Sequence, residues 1–455
     1  MLASGEGRAS APTQHASGAV AGGADAVVGR YRWLVCALLF FATTVNYMDR
    51  QILSLLKPIL DNELKWTNAQ FGMVNAAFQA AYAIGLLSFG ALIDRVGTKI
   101  GYAVSIAAWS LAAMSHALVG SVNGFFVARF ALGLGEGGNF PSAIKAVALW
   151  FPRRERALAT ALFNSGANVG AVVAPAIVPW IALTWGWRAA FVIAGCAGFA
   201  WLALWIPFYD SPERLRRLSA AERALIAGDA DQRAGNAGPP IGWLEILRHR
   251  QAWSFIVGKF LTDPVWWFFL IWLPDFFKKT RGLDIKGSRL YLVSIYGIVT
   301  VLSVAGGWLP GALQRQGFTP TRARKTTMLV CALAVLPIIA VTRVGAWSAV
   351  VLIGVAGSAH QAWSANLFTT VSDMFPGRAV ARLVGIGGMA GSVGGIAFPI
   401  VAGTLLDRFQ AAGNVTAGYA ILFMVCGLAY LVAFAVGHLL APSFDPVSIG
   451  AGGGR

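Results

Sequence analysis

From Tyr31 onward the chain alternates long apolar stretches with short joints that are polar or marked by glycine and proline. A helix rises 1.5 Å per residue, so about 20 mainly apolar residues cross a hydrocarbon layer. Each stretch therefore predicts a spanning helix. Twelve are predicted, near 32–56, 69–93, 100–119, 124–149, 157–182, 187–208, 252–277, 288–313, 326–343, 346–373, 381–405 and 417–440. Between the sixth and seventh, residues 209–250 are polar and carry Arg214, Arg216, Arg217 and Arg223. The pattern divides the chain into a tail (1–30), a six-helix half (31–208), a central loop with a short surface helix (209–250), a second six-helix half (251–440) and a closing tail (441–455).

Composition agrees with lipid as the solvent. Hydrophobic residues make up 57% and charged residues 12%, where a soluble domain carries about 25% charged. The net charge of +16 would suggest nucleic acid in a soluble chain. In a spanning chain it reads as basic residues kept in cytoplasmic loops. With both termini inside, Lys and Arg at the inner end outnumber those at the outer end by about two to one. Both termini are thus expected in the cytoplasm and the chain in the inner (plasma) membrane. One outer loop departs from the bias, with Lys278, Lys279, Arg281, Lys286 and Arg289. It is either a local departure or an attractor of anions at the outer mouth. Residues 1–30 lack the apolar core of a secretory signal and are expected to be a disordered tail. The four cysteines stand singly, without metal or disulfide spacing. There is no P-loop, zinc spacing or serine-triad context, so neither an enzyme nor a cofactor is expected.

A repeat runs through the chain at an offset of 224 residues. It maps Phe151-Pro152 and Arg154 onto Phe375-Pro376 and Arg378, Gly133 onto Gly357, Gly170 onto Gly394, and Pro175 onto Pro399. Spans four and five thus echo spans ten and eleven, which predicts two parallel six-helix repeats. The same offset sets His360 opposite Glu136.

At Gly90-Ala-Leu-Ile-Asp94-Arg95-Val-Gly97-Thr-Lys99, between spans two and three, the chain resembles the signature loop of the major facilitator superfamily. That likeness implies a gating role for Asp94 and Arg95, with Asp94 capping a helix and pairing with Arg. Asn46-Tyr47-Met48-Asp49-Arg50, the run from Arg129 to Glu136, Phe140-Pro141 and Phe163-Asn164-Ser165-Gly166 resemble the anion:cation symporter family within it. Asp263-Pro264-Val-Trp266-Trp267 and His360-Gln361-Ala-Trp363-Ser364-Ala-Asn366 resemble its hexuronate branch. Together these imply a proton-coupled carrier of glucuronate or galacturonate, working as a monomer in the bilayer. Aldonates, aldarates and other organic anions are the alternative cargoes. A sensor that binds a sugar acid without moving it is a further reading, which would call for an extra cytoplasmic domain.

A charge at the bilayer centre costs at least about 2.5–3.5 kcal/mol on insertion scales, so Asp49 in span one is a functional candidate. A structural ion pair with Arg50 or Arg129 is the plainer alternative. The resemblance assigns Asp49 and Glu136 to proton coupling. Generally, desolvation favours the neutral acid and a nearby Arg favours the anion, so engaging the Arg with substrate exchanges the two. Arg129 and Glu136 lie seven residues apart on one face, and Arg129 is either a structural partner or a proton gate. Arg50 offers paired planar donors suited to a carboxylate. Tyr47, Gln79, Tyr82, Asn164 and Asn168 are candidate hydroxyl partners, or polar joints between helices. In the second half, His360, Gln361, Trp363, Ser364 and Asn366, with Trp266 and Trp267, are candidates to read a polyhydroxylated ring. Core packing is the alternative for Trp363 and His360. Asp263, before Pro264, either titrates or satisfies freed backbone groups. Lys145, Lys259 and Asp373 are expected to snorkel from span ends.

Overall fold

In a computed structural model of the chain, residues 29–227 and 241–447 are described, and all regular structure among them is helical. The first half contains α1 (Tyr31–Leu64), α2 (Asn68–Val96), α3 (Thr98–Ser115), α4 (Val122–Glu136), α5 (Asn139–Trp150), α6 (Arg153–Trp185) and α7 (Trp187–Phe208). Two short helices, α8 (Ala220–Ala227) and α9 (Trp243–Leu247), belong to the central loop. The second half contains α10 (Arg250–Arg281), α11 (Ile285–Arg315), α12 (Pro320–Val335), α13 (Ala346–Met374), α14 (Gly377–Ala411) and α15 (Val415–Leu440). The expected tail 1–30 lies almost wholly outside the described residues, as do the end of the closing tail and the middle of the central loop.

These helices account for the twelve predicted spans. Eight qualify as membrane crossings by length and hydropathy alone. The remaining four crossings are α1, α3, the α4–α5 pair and α13. Polar groups lower the hydropathy of α1 and α13 at the very positions singled out above. The fourth span is one predicted stretch but two helices, because the chain turns at Gly137-Gly138.

The repeat in sequence is a repeat in space. Phe151 and Phe375 close α5 and α13 with φ −116° and −117°. Pro152 and Pro376 then cap α6 and α14 with φ −62° each, and ψ 153° and 148°. Proline suits this place because its φ is preset for the first helical turn and its missing N–H would find no partner there. Within the first half α1 packs on α6, α2 on α4 and α3 on α7. In the second half α10 packs on α14, α11 on α13 and α12 on α15. The seams between halves obey the same symmetry, α2 lying along α14 and α6 along α11. The result is a twelve-helix bundle of two related halves.

At the end opposite the chain termini, side chains tie the halves together. Lys57 of α1, fully buried, places Nζ 2.8 Å from Asp275 of α10 and 3.0 Å from Asp61. Lys279 reaches Asp275 at 3.2 Å and donates to Asn68 Oδ1 at 2.7 Å. The hydroxyl of Tyr419 donates to Asp275 Oδ2 at 2.5 Å. Asp407 of α14 accepts from the backbone N–H groups of Asn68 and Ala69, both at 2.8 Å. These are the free N–H groups of the first turn of α2, so the carboxylate completes that helix end from the other half. Closeness there depends on glycine. A Cβ on Gly72 would lie 2.3 Å from Pro399 O, and one on Gly403 would lie 2.3 Å from Asn68 O.

Candidate functional site

The charged cluster lies inside the first half. Arg50 of α1 and Glu136 at the end of α4 form an ion pair, Nε to Oε2, at 2.6 Å, with both side chains buried. The guanidinium carbon also lies 4.5–5.5 Å from the ring centres of Tyr47, Phe78, Tyr82 and Trp267. Those faces offer π-electron density where Glu136 does not reach. The second half thus contributes Trp267 to an otherwise N-terminal charge site. Glu136 Oε1 has no hydrogen-bond partner.

Arg129 does not pair with a carboxylate. Its Nη2 donates to Arg50 O at 2.6 Å and its Nη1 approaches Asp49 O at 3.5 Å. It therefore holds the backbone of α1 in place, while the Phe78 ring lies 4.8 Å from its guanidinium carbon. Asp49 is buried, and neither of its carboxyl oxygens has a hydrogen-bond partner. Successive side chains on a helix diverge by about 100°. That divergence lets Arg50 meet Glu136 while Asp49 points elsewhere.

Next to this cluster a cavity of about 190 Å³ lies between the halves. Tyr47 of α1 and Asn164 and Asn168 of α6 line one side. Trp266, Trp267 and Asp263 of α10 and His360, Gln361 and Ser364 of α13 line the other. The Gln361 amide donates to Asn168 Oδ1 at 3.4 Å across the seam. His360 stacks on Trp266 with centroids 5.4 Å apart and planes at 3°, and its Nδ1 lies 2.6 Å from the Tyr430 hydroxyl. Trp267 faces both this cavity and a smaller pocket lined by Arg50, Gln79, Phe78 and Arg129. Arg50 therefore stands behind Tyr47 and Trp267 and does not line the larger cavity.

Two candidates of α13 point away. Trp363 is fully buried edge-on against Tyr430, with centroids 5.5 Å apart. Asn366 turns its amide back to Ala362 O at 2.8 Å. The helical angle explains this. Relative to His360, residues 361 and 364 lie at roughly +100° and +40°, while 363 lies at about −60° and 366 at about −120°. The cavity takes the first side, and on the second Trp363 meets Tyr430 of α15.

In the signature loop, Asp94 is exposed and pairs with Lys145 of α5 at 2.7 Å. Among the described residues its ion-pair partner is thus a lysine and not an arginine. The N-cap of α3 is Gly97, with no side-chain cap, and Arg95 is exposed. Lys145 is fixed to Asp94 and Ile93 O. Asp373 pairs with Arg324 of α12. Lys259 does not snorkel. It lies in the tenth position of α10, buried, with Nζ 2.7 Å from Asp263 Oδ2, and lines the cavity. The four-residue spacing of Lys259 and Asp263 in an apolar span was the available signal for it.

Comparison with known proteins agrees with this architecture. A family model described as Major Facilitator Superfamily matches residues 39–399. The hexuronate transporter of Escherichia coli (strain K12) is 33% identical over 400 residues, covering 87% of this chain and 90% of that protein. The galacturonate transporter of Dickeya chrysanthemi is 33% identical over 286 residues, covering 62% of this chain and 83% of its own. Among solved structures, a bacterial homolog of the human lysosomal transporter Spinster, in an inward-facing and unoccupied conformation, superposes with a TM-score of 0.71. The two are 18% identical, and the match covers 91% of this chain and 98% of that one. Similarity at that level concerns the fold alone. With two symmetry-related six-helix halves, a family match over most of its length and transporters among its relatives, the chain belongs to the Major Facilitator Superfamily and is a multi-pass membrane transport protein.

Proposed function

We propose that the protein is a proton-coupled symporter that imports a hexuronate, glucuronate or galacturonate, across the inner membrane, with both termini in the cytoplasm. The observation that carries the reading is the pairing of a polar, indole-lined cavity with two buried carboxyls in the charged cluster behind its Tyr47 and Trp267 wall. The cavity has the chemistry of a sugar-acid site, with amides and a hydroxyl for ring oxygens and Trp266 and Trp267 for the ring's apolar face. The similarity to hexuronate and galacturonate transporters supports the same cargo.

Asp49 and Glu136 are the proposed proton carriers. An anion with no donor at either oxygen is costly to bury, whereas the neutral acid is not. Asp49 has that environment, and Glu136 is held by a single Arg that also contacts the cavity wall through Tyr47 and Trp267. Substrate that moves Trp267 or Tyr47 alters the setting of Arg50, and hence the charge balance at Glu136. In this reading the network around Lys57 and Asp275 closes the outer side, and release of proton and sugar acid follows on the inner side. Arg129 maintains the geometry, and Asp94 and Arg95 serve the inner gate.

Uptake of radiolabelled galacturonate and glucuronate into proteoliposomes, with the exterior at pH 6 and the interior at pH 7.5, tests the reading. Accumulation above the external concentration is expected, and Asp49→Asn and Glu136→Gln are expected to abolish it. Undiminished gradient-driven accumulation by both variants refutes the proton role. Failure of both uronates to compete in a panel of sugar acids refutes the cargo.

A further inference from the structure

Lys259 is a cation that the mechanism above does not use. Among the described residues lining the larger cavity it is the one lysine or arginine. Arg50 and Arg129 face the small pocket behind Trp267. There Arg50 is engaged by Glu136, and Arg129 by backbone carbonyls. A substrate carboxylate in the larger cavity therefore meets Lys259 before any other fixed positive charge.

Lys259 already holds a carboxylate of the protein's own. Asp263 Oδ2 lies 2.7 Å from Nζ, one helical turn further along α10. On its other side that oxygen rests against α14 at Gly391, where a Cβ would come within 2.2 Å of it. The carboxylate thus occupies a slot that a side chain at 391 would fill. The ammonium also lies 4.5 Å from the Phe368 ring centre.

We propose that Lys259 is the anchor for the substrate's carboxylate, and that Asp263 is the internal carboxylate it releases on binding. The proposal rests on the reading of the protein as an organic-anion carrier. An unpaired ammonium is costly to bury, and Asp263 covers that cost while no substrate is bound. Binding is then an exchange of one carboxylate for another at the same cation. Asp263 turns from Lys259 toward the cavity water, and its charge is the opposing cost that keeps the sugar acid releasable. An ammonium has three donors and no fixed plane, so it tolerates the handover without a particular carboxylate orientation. Neutral sugars do not compete for this place, since they cannot displace an anion.

The test uses the full-length protein in detergent or nanodiscs. Binding of galacturonate, glucuronate and the uncharged methyl galactoside is followed by intrinsic tryptophan fluorescence. Lys259→Gln is expected to weaken uronate binding by about 10- to 100-fold, and Lys259→Arg to retain most of it. Asp263→Asn removes the competitor and is expected to tighten binding. In the double variant Lys259→Gln/Asp263→Asn, binding stays weak if Lys259 holds the substrate. It recovers if Lys259 serves only to neutralise Asp263, and that recovery overturns the proposal. So does binding by Lys259→Gln within twofold of the parent, or weakening by Asp263→Asn equal to that of Lys259→Gln. If the parent binds another carboxylate but neither uronate, the hexuronate reading falls and the same variants are compared with that anion. If it binds no carboxylate, both fall.

Discussion

Asp275→Asn is predicted to open the end of the molecule opposite the termini. Asp275 is fully buried, contacts Lys57 at 2.8 Å and Lys279 at 3.2 Å, and accepts from Tyr419. Removing one partner of a buried ion pair costs roughly 3–5 kcal/mol, because the other charge is left uncompensated. Lys57 keeps Asp61 at 3.0 Å, which places the expected cost at the lower end, about 3 kcal/mol. The cost falls on the closed arrangement, since separated halves expose these lysines to water. At 1.36 kcal/mol per tenfold, the closed-to-open ratio drops about a hundredfold. Spin labels at the exposed positions Asn62 and Lys286 lie on the two halves at this end, and pulsed dipolar distance measurements read the change. A shift of the population to longer distances is expected, with Lys57→Gln restoring the short distance in the Asp275→Asn background. A distance distribution unchanged by Asp275→Asn refutes the reasoning. So does a shift that Lys57→Gln leaves in place.

Two further outcomes are expected. Gly403→Ala places a methyl group against Asn68 O, so transport should fall at least about tenfold while helix content by circular dichroism is retained. Gly388→Ala on the same helix meets nothing within 4 Å and should transport normally. Asp210, beyond the end of α7, gives a pH signature. Burial pushes its carboxyl up, but the Ser211 N–H and the Lys99 ammonium outweigh this and hold it below the usual range. Its contribution is therefore complete above the unfolded carboxylate value of about 3.9 and is lost as pH falls through the lower folded value. The pair is partly exposed, so Asp210→Asn should lower the melting temperature only slightly at pH 7, by about 1–2 °C. That difference from the parent should shrink as pH falls below about 3.9 and vanish once it passes the lower folded value.

Much of the architecture is legible in the sequence because lipid forces every span to satisfy its own backbone, leaving runs of apolar residues whose lengths can be read off. The offset of 224 residues exposed the repeat, since Phe151-Pro152 and Phe375-Pro376 perform the same helix-to-helix joint. Buried charges were visible for the same reason, being rare in spans and costly there. Partnership was not visible. Spacing put Arg129 and Glu136 on one face, but Glu136 meets Arg50 from another helix, and Arg129 meets two carbonyls. The side of α13 that faces the cavity depends on how it is rotated against α10 and α11, so Trp363 and Asn366 fall away from it while Gln361 and Ser364 reach it. Lys259 resembled a snorkelling residue in the linear chain, and only the meeting of α10 with α13 and α14 turned it inward. Helix formation and membrane insertion are local, set by hydropathy along one segment. Sites between helices depend on rotation and approach, which neighbouring helices impose.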